Sequence, residues 1–138
     1  MLLVDLGDYL SSGGIGTLGT DLFLGLMPAS PDNATCVYET GGRSPAHAMN
    51  GSAGQASVTY PHIQVVVRGG MDSYQVARAL AQKAFLLLDG LPHRTIGTTC
   101  YLWSESLQGE PFLLGRDEQN RPLIACNFEV VKRLSSTS

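Results

Sequence analysis

The stretch Pro111–Lys132, PFLLGRDEQNRPLIACNFEVVK, constrains the fold more than any other part of this chain. Phe112, Leu113 and Leu114 make a short apolar run. Gly115 to Pro122 is dense in charge and in residues that tolerate bent backbone. A clear period of two then begins, with Ile124, Cys126, Phe128 and Val130 on one face and Leu123, Ala125, Asn127, Glu129 and Val131 on the other. The pattern predicts a β-hairpin with a polar tip, in a sheet with one face packed against a core.

The rest of the chain supplies elements for that core. Leu2, Leu3, Leu6, Tyr9 and Leu10 recur at helical spacing, so residues 2–11 read as a short amphipathic helix, stopped by Ser12-Gly13-Gly14. Leu22 to Leu26 form a first strand, ended by Pro28. Residues 29–34 are a turn, and Cys36 to Thr40 a second strand. Residues 41–60 are small, polar, Gly-rich and aperiodic, and they read as a flexible loop within the domain. Ile63 to Arg68 is a third strand, nearly all apolar at Val65-Val66-Val67 and therefore central. A long helix follows, capped by Asp72 with Gln75 three residues on. Its apolar stripe is Val76, Ala77, Leu80, Ala81, Ala84, Leu87 and Leu88, and Gly90 and Pro92 end it. Thr95 to Leu107 gives strand material around Thr98–Trp103, bent near Gly97, and residues 134–138 read as a frayed tail. The expectation is a single α+β domain over residues 1–138. It has a mostly antiparallel (mixed) sheet, with one long helix and a short N-terminal helix packed on it.

Composition narrows the function. A chain of 138 residues with 43% hydrophobic content can bury a core without disulfides or metal. A net charge of −3 with no Lys/Arg block excludes a dedicated nucleic-acid surface. No run approaches the ~20 apolar residues that span a bilayer. The N-terminus has two aspartates and no basic region, so it does not read as a secretory signal, and the chain is expected to be cytosolic when made. The three cysteines, Cys36, Cys100 and Cys126, each fall in strand sequence without C-x-x-C spacing and read as buried reduced thiols.

Candidate chemistry is sparse. Gly14-Ile15-Gly16-Thr17-Leu18-Gly19 is a literal G-x-G-x-x-G, but a dinucleotide site needs a strand before it and a helix after it, and here the order is reversed. His47, His62 and His93 sit in or beside loops without ligand spacing. Asp5 and Asp8 are placed on the solvated face of the first helix. Ser104, Glu105 and Ser106 lack a nucleophile-elbow context. Asp117 and Glu118 read as turn residues. No catalytic, cofactor or metal-binding residue is assigned, and the chain is not expected to be an enzyme. The polar density sits on loop tips, which suits assembly. Arg43, Arg116, Asp117 and Arg121 are the candidate assembly contacts, because Arg is favoured where a charge pairs across an interface.

Several runs together resemble a known family. They are Asp21-Leu22-Phe23-Leu24-Gly25-Leu26-Met27-Pro28, Ser30-Pro31-Asp32-Asn33, Tyr38-Glu39-Thr40-Gly41-Gly42, Gln64-Val65-Val66-Val67-Arg68, Leu88-Asp89-Gly90-Leu91, and the Pro111–Arg121 hairpin with Cys126-Asn127-Phe128-Glu129-Val130. Their order and spacing, over about residues 2–132, are similar to the minor capsid and tail terminator (tail completion) proteins of long-tailed bacteriophages. The resemblance implies a virion structural protein at the head-proximal end of the tail. It implies a homo-oligomeric, hexameric ring that caps the tail-tube protein, stops its polymerisation and meets the head–tail connector or neck proteins. DNA passes only through the lumen, and no cofactor and no membrane are involved. Two other readings stay open at this point: a head-closure or neck adaptor between portal and tail, and a small nucleotide-binding protein or enzyme.

Overall fold

The computed structural model describes residues 2–46, 58–91, 94–97 and 99–133. Two helices, α1 (Leu2–Ser12) and α2 (Tyr74–Leu88), accompany seven strands. The strands are β1 (Leu22–Leu24), β2 (Ala34–Ala46), β3 (Val58–Arg68), β4 (Arg94–Ile96), β5 (Thr99–Ser106), β6 (Phe112–Arg116) and β7 (Pro122–Arg133). They form one mixed sheet in the order β1-β2-β3-β7-β5-β4, with β6 also paired to β7. β1 and β2 run parallel; the other pairings between these strands are antiparallel. The fold is α+β, as the sequence predicts.

Period two decides which face is buried. Val37, Ile63, Val65, Val67, Ile124, Cys126, Phe128 and Val130 point to the helices and are essentially inaccessible. Against them α2 lays Ala77, Ala81, Ala84, Phe85 and Leu88, and α1 lays Leu2, Leu3, Leu6 and Leu10. The alanines let α2 approach the strands closely, and Phe85 meets Phe128 with ring centroids 6.2 Å apart. Each large side chain buried this way stabilises the fold by ~1.5–3 kcal/mol.

Several expectations are corrected. Ser73, not Asp72, occupies the N-cap of α2, and it makes no side-chain cap hydrogen bond. A turn closed by Ser73 N–H on the Gly70 carbonyl leaves Asp72 exposed outside the helix. Val76 is exposed, because the buried stripe follows 77, 81, 84, 85 and 88; it gains Phe85, which the sequence reading left out. The strand material of Thr95–Leu107 divides at Gly97 into two strands, β4 and β5. Gly97, at φ +63, turns the chain so that β4 pairs antiparallel with β5, and a Cβ there would meet the Asp5 carboxylate at 2.7 Å.

The segment 41–60 is not a flexible loop throughout. Residues 41–46 continue β2 and residues 58–60 begin β3, with Gly41, Gly42 and Arg43 paired to His62, Pro61 and Tyr60. The strands tolerate the glycines because Gly42 packs directly on β3: a Cβ would lie 2.2 Å from the Tyr60 carbonyl oxygen. Residues 47–57, the remainder of that expected loop, lie outside the described residues, as do His47, His93 and the expected frayed tail at 134–138. His62 is in a strand, not a loop. Asp5 is not solvated: it is 6% exposed and accepts a hydrogen bond from the Tyr101 hydroxyl. Asp8 is exposed, as expected.

Candidate functional site

Both helices cover one face of the sheet. Among the described residues no helix covers the other. Alternation along β3, β5 and β7 sends to this open face the side chains that do not enter the core. Cross-strand pairing then aligns them into rows. Arg43 pairs with Tyr60, the β3–β7 register sets Tyr60 beside Val131, and Val131 pairs with Trp103. One row therefore crosses β2, β3, β7 and β5 as Arg43, Tyr60, Val131, Trp103. The next row is His62, Glu129, Glu105.

Electrostatics ties the two rows together. Glu129, only 7% exposed, accepts from Arg43 Nε at 2.5 Å and Nη2 at 3.3 Å, and His62 Nε2 lies 3.2 Å from the same carboxylate. The Arg43 guanidinium stacks 4.0 Å over the Tyr60 ring. The hydrogen bond from Arg43 holds the Glu129 carboxyl below the usual carboxylate range, against the opposing effect of burial. Trp103 remains 48% exposed beside this cluster.

The far end of the same face is the β6–β7 tip. Desolvation pushes the Asp117 carboxyl upward, but hydrogen bonds from the Arg121 N–H, the Arg121 guanidinium and the Gln119 N–H outweigh it and leave it lowered. Arg121 is 5% exposed. It reaches Asp117 at 2.7 Å, Asp32 at 3.1 Å and the Ala29 carbonyl at 2.6 Å. Arg68, also buried, donates to the Pro31 and Asp32 carbonyls, so two arginines fasten the 29–32 turn to the sheet. Beside them lies a cleft of about 360 Å³, lined by Met27, Tyr38, Val66, Arg68, Leu114 and Leu123. Arg116 projects into solvent and donates to the Asn120 carbonyl at 2.8 Å.

The four candidate contacts thus separate into two places and two situations. Arg43 and Arg116 present exposed guanidinium groups at opposite ends of the open face. Asp117 and Arg121 are engaged with each other and with the 29–32 turn inside the subunit. Sequence reasoning did not single out Tyr60, Trp103, Glu129 or Arg68. Alternation could place Glu129 and Val131 on one face, but the partners beside them depend on register between strands far apart in sequence.

The Gly14–Gly19 run follows α1 and precedes β1, and its Thr17 N–H donates to Asp21 at 2.6 Å, where a phosphate would need that donor free of a carboxylate. Ser104 is buried and donates to the Leu88 carbonyl. Among the described residues no three His, Cys, Asp or Glu side chains converge to hold a metal.

The profile of the bacteriophage tail terminator protein family matches residues 9–133, nearly the whole of this fold. The chain belongs to the bacteriophage tail terminator family. It is a structural protein of the phage tail, with the virion as its place. No curated protein matches the chain. The sequence resemblance to tail terminators holds, and the open face with its two arginine-bearing ends is this terminator-family protein's candidate contact surface. No described helix is long and apolar enough to cross a membrane.

Proposed function

We propose that this protein caps the bacteriophage tail tube, ends its polymerisation and offers the surface on which the head's neck proteins dock. Membership of the tail terminator family over residues 9–133 carries this reading. The fold is compatible with it: a rigid sheet buttressed by two helices, with an uncovered face that holds polar groups at fixed positions. A hexameric ring is the form that suits the task. A head-to-tail contact closes when its rotation divides the circle, and a closed ring matches a tube end while leaving a lumen for DNA. A chain of net charge −3 can line such a lumen without gripping the phosphates, since that grip depends on Lys and Arg.

Electron microscopy of lysates from a phage whose gene for this protein is disabled tests the reading. Overlong tails unattached to heads are expected. Tails of normal length overturn it, and normal tails beside leaking, tailless heads indicate a neck adaptor instead.

A further inference from the structure

The open face carries two unlike patches at its two ends. At one end lies the row Tyr60, Val131, Trp103, with Glu105 in the adjoining row. Trp103, the only tryptophan in the chain, is 48% exposed. Aromatic side chains beside a charge are the composition of interface anchors. Glu105 stands directly across the strand pair from Glu129. Two carboxylates so placed repel each other. Arg43 and His62 contact Glu129 directly; Arg43 also interacts with the Glu105 charge, but among the described residues Glu105 makes no close ion pair of its own. Two carboxylates here thus share one arginine, which leaves place for a second cation.

At the other end, the β6–β7 tip offers one. Arg116 is exposed and makes no ion pair among the described residues, and Leu114 near it, on the open face, is 48% exposed. The tip is already ordered. The Asp117 carboxylate accepts from Gln119 N–H at 3.0 Å, Arg121 N–H at 2.9 Å and Arg121 Nε at 2.7 Å, so docking forfeits little conformational freedom. Leu123 and Val131 mark the two ends along β7, about 26 Å apart at ~3.3 Å per residue. Arg116 cannot reach Glu105 of its own subunit over that span. A second copy, set head to tail, can supply it.

We propose that the β6–β7 tip of one subunit docks on the Tyr60–Val131–Trp103 row of the next, with Arg116 against Glu105 and Leu114 against Trp103. The contact is heterologous: donor and acceptor patches are different surfaces of the same chain, so every subunit uses both and the chain of contacts can close. It rests on the ring reading above and names the surfaces that make the ring. Asp117 and Arg121 serve in it as positioning residues that fix the tip and do not themselves touch the neighbour.

The protein labelled with 5-fluorotryptophan gives one ¹⁹F resonance, from Trp103, even when mixed with unlabelled tail-tube protein. Native mass spectrometry and ¹⁹F spectra are recorded for the wild type, Glu105→Arg, Arg116→Glu and the double exchange, over a concentration series and on tube ends. Folding of each variant is checked by circular dichroism. The contact predicts that the Trp103 resonance shifts on assembly, that each single exchange raises the concentration needed for assembly roughly tenfold or more, and that the double exchange restores it. An unshifted resonance in an assembled wild type, or folded single variants that assemble normally, overturns the contact but leaves the ring. A wild type that stays monomeric alone and on tubes overturns the ring itself, and the contact with it.

Discussion

The Tyr101 hydroxyl donates a 2.6 Å hydrogen bond to the Asp5 carboxylate, linking β5 to α1 across the core. Both residues are buried, Tyr101 fully. Burial first, and then the neighbouring carboxylate, push the Tyr101 phenol upward, so it remains a donor at any ordinary pH. Gly97 packs on the same carboxylate. This pair fastens the N-terminal helix to the β4–β5 hairpin. Tyr101→Phe removes the hydrogen bond and keeps the ring, and is expected to lower stability by about 1–3 kcal/mol in urea denaturation. Asp8→Ala, on the exposed side of the same helix, should stay within about 0.5 kcal/mol.

Glu129 should make stability depend on acid. Its carboxyl is held below the ordinary value of 4.5 by Arg43 first, with His62 adding to the effect. A depressed carboxyl in the folded state contributes stability that is present above the unfolded value and is lost as pH falls through the folded one. Glu129→Gln is therefore expected to be less stable than the wild type at pH 7. The two should converge as pH drops below 4.5, as measured by thermal melts across that range. A constant difference at every pH would show that the ionised carboxylate contributes nothing.

The close approach at Gly42 predicts a large backbone effect. A methyl group there would sit 2.2 Å from the Tyr60 carbonyl oxygen, at φ +133. Gly42→Ala should cost more than about 1 kcal/mol and disturb the β2–β3 pairing. Gly109, where an added Cβ meets nothing within 4 Å and the backbone is unexceptional, is the matched control. Hydrogen exchange on the β2 and β3 amides distinguishes local loosening from global loss.

Thiol reactivity should follow burial. Cys36 and Cys126 are fully buried, and burial pushes the Cys126 thiol up to about 12. Cys100, expected to be buried like the other two, is only half-buried. A disulfide reagent added to the native protein at pH 8 is expected to modify Cys100 first, and all three only in denaturant. Prompt reaction of Cys126 would contradict the packing of β7 under α2.

Much of this structure was legible because periodicity is local. The alternation of Ile124, Cys126, Phe128 and Val130 names the buried face of β7, and Gly13-Gly14 marks the end of α1. What escaped depended on distant partners. Asp5 sits on a helix position that would be solvated but for Tyr101, 96 residues away. Gly41 and Gly42 weaken a strand on propensity alone, yet β3 pairs with them and needs the missing side chain. The candidate surface divides in the same way. Arg43 and Arg116 were visible as loop-like charges, whereas Trp103 and Glu105 join the story only through the register of β5 on β7.

Whether this protein ends tail-tube growth can be read directly with purified components. Tail-tube protein is polymerised in vitro with increasing amounts of this protein, and tube lengths are measured by electron microscopy. Tubes are expected to shorten as the ratio rises, each bearing a ring of this protein at one end. Tubes of unchanged length with bare ends would contradict that expectation.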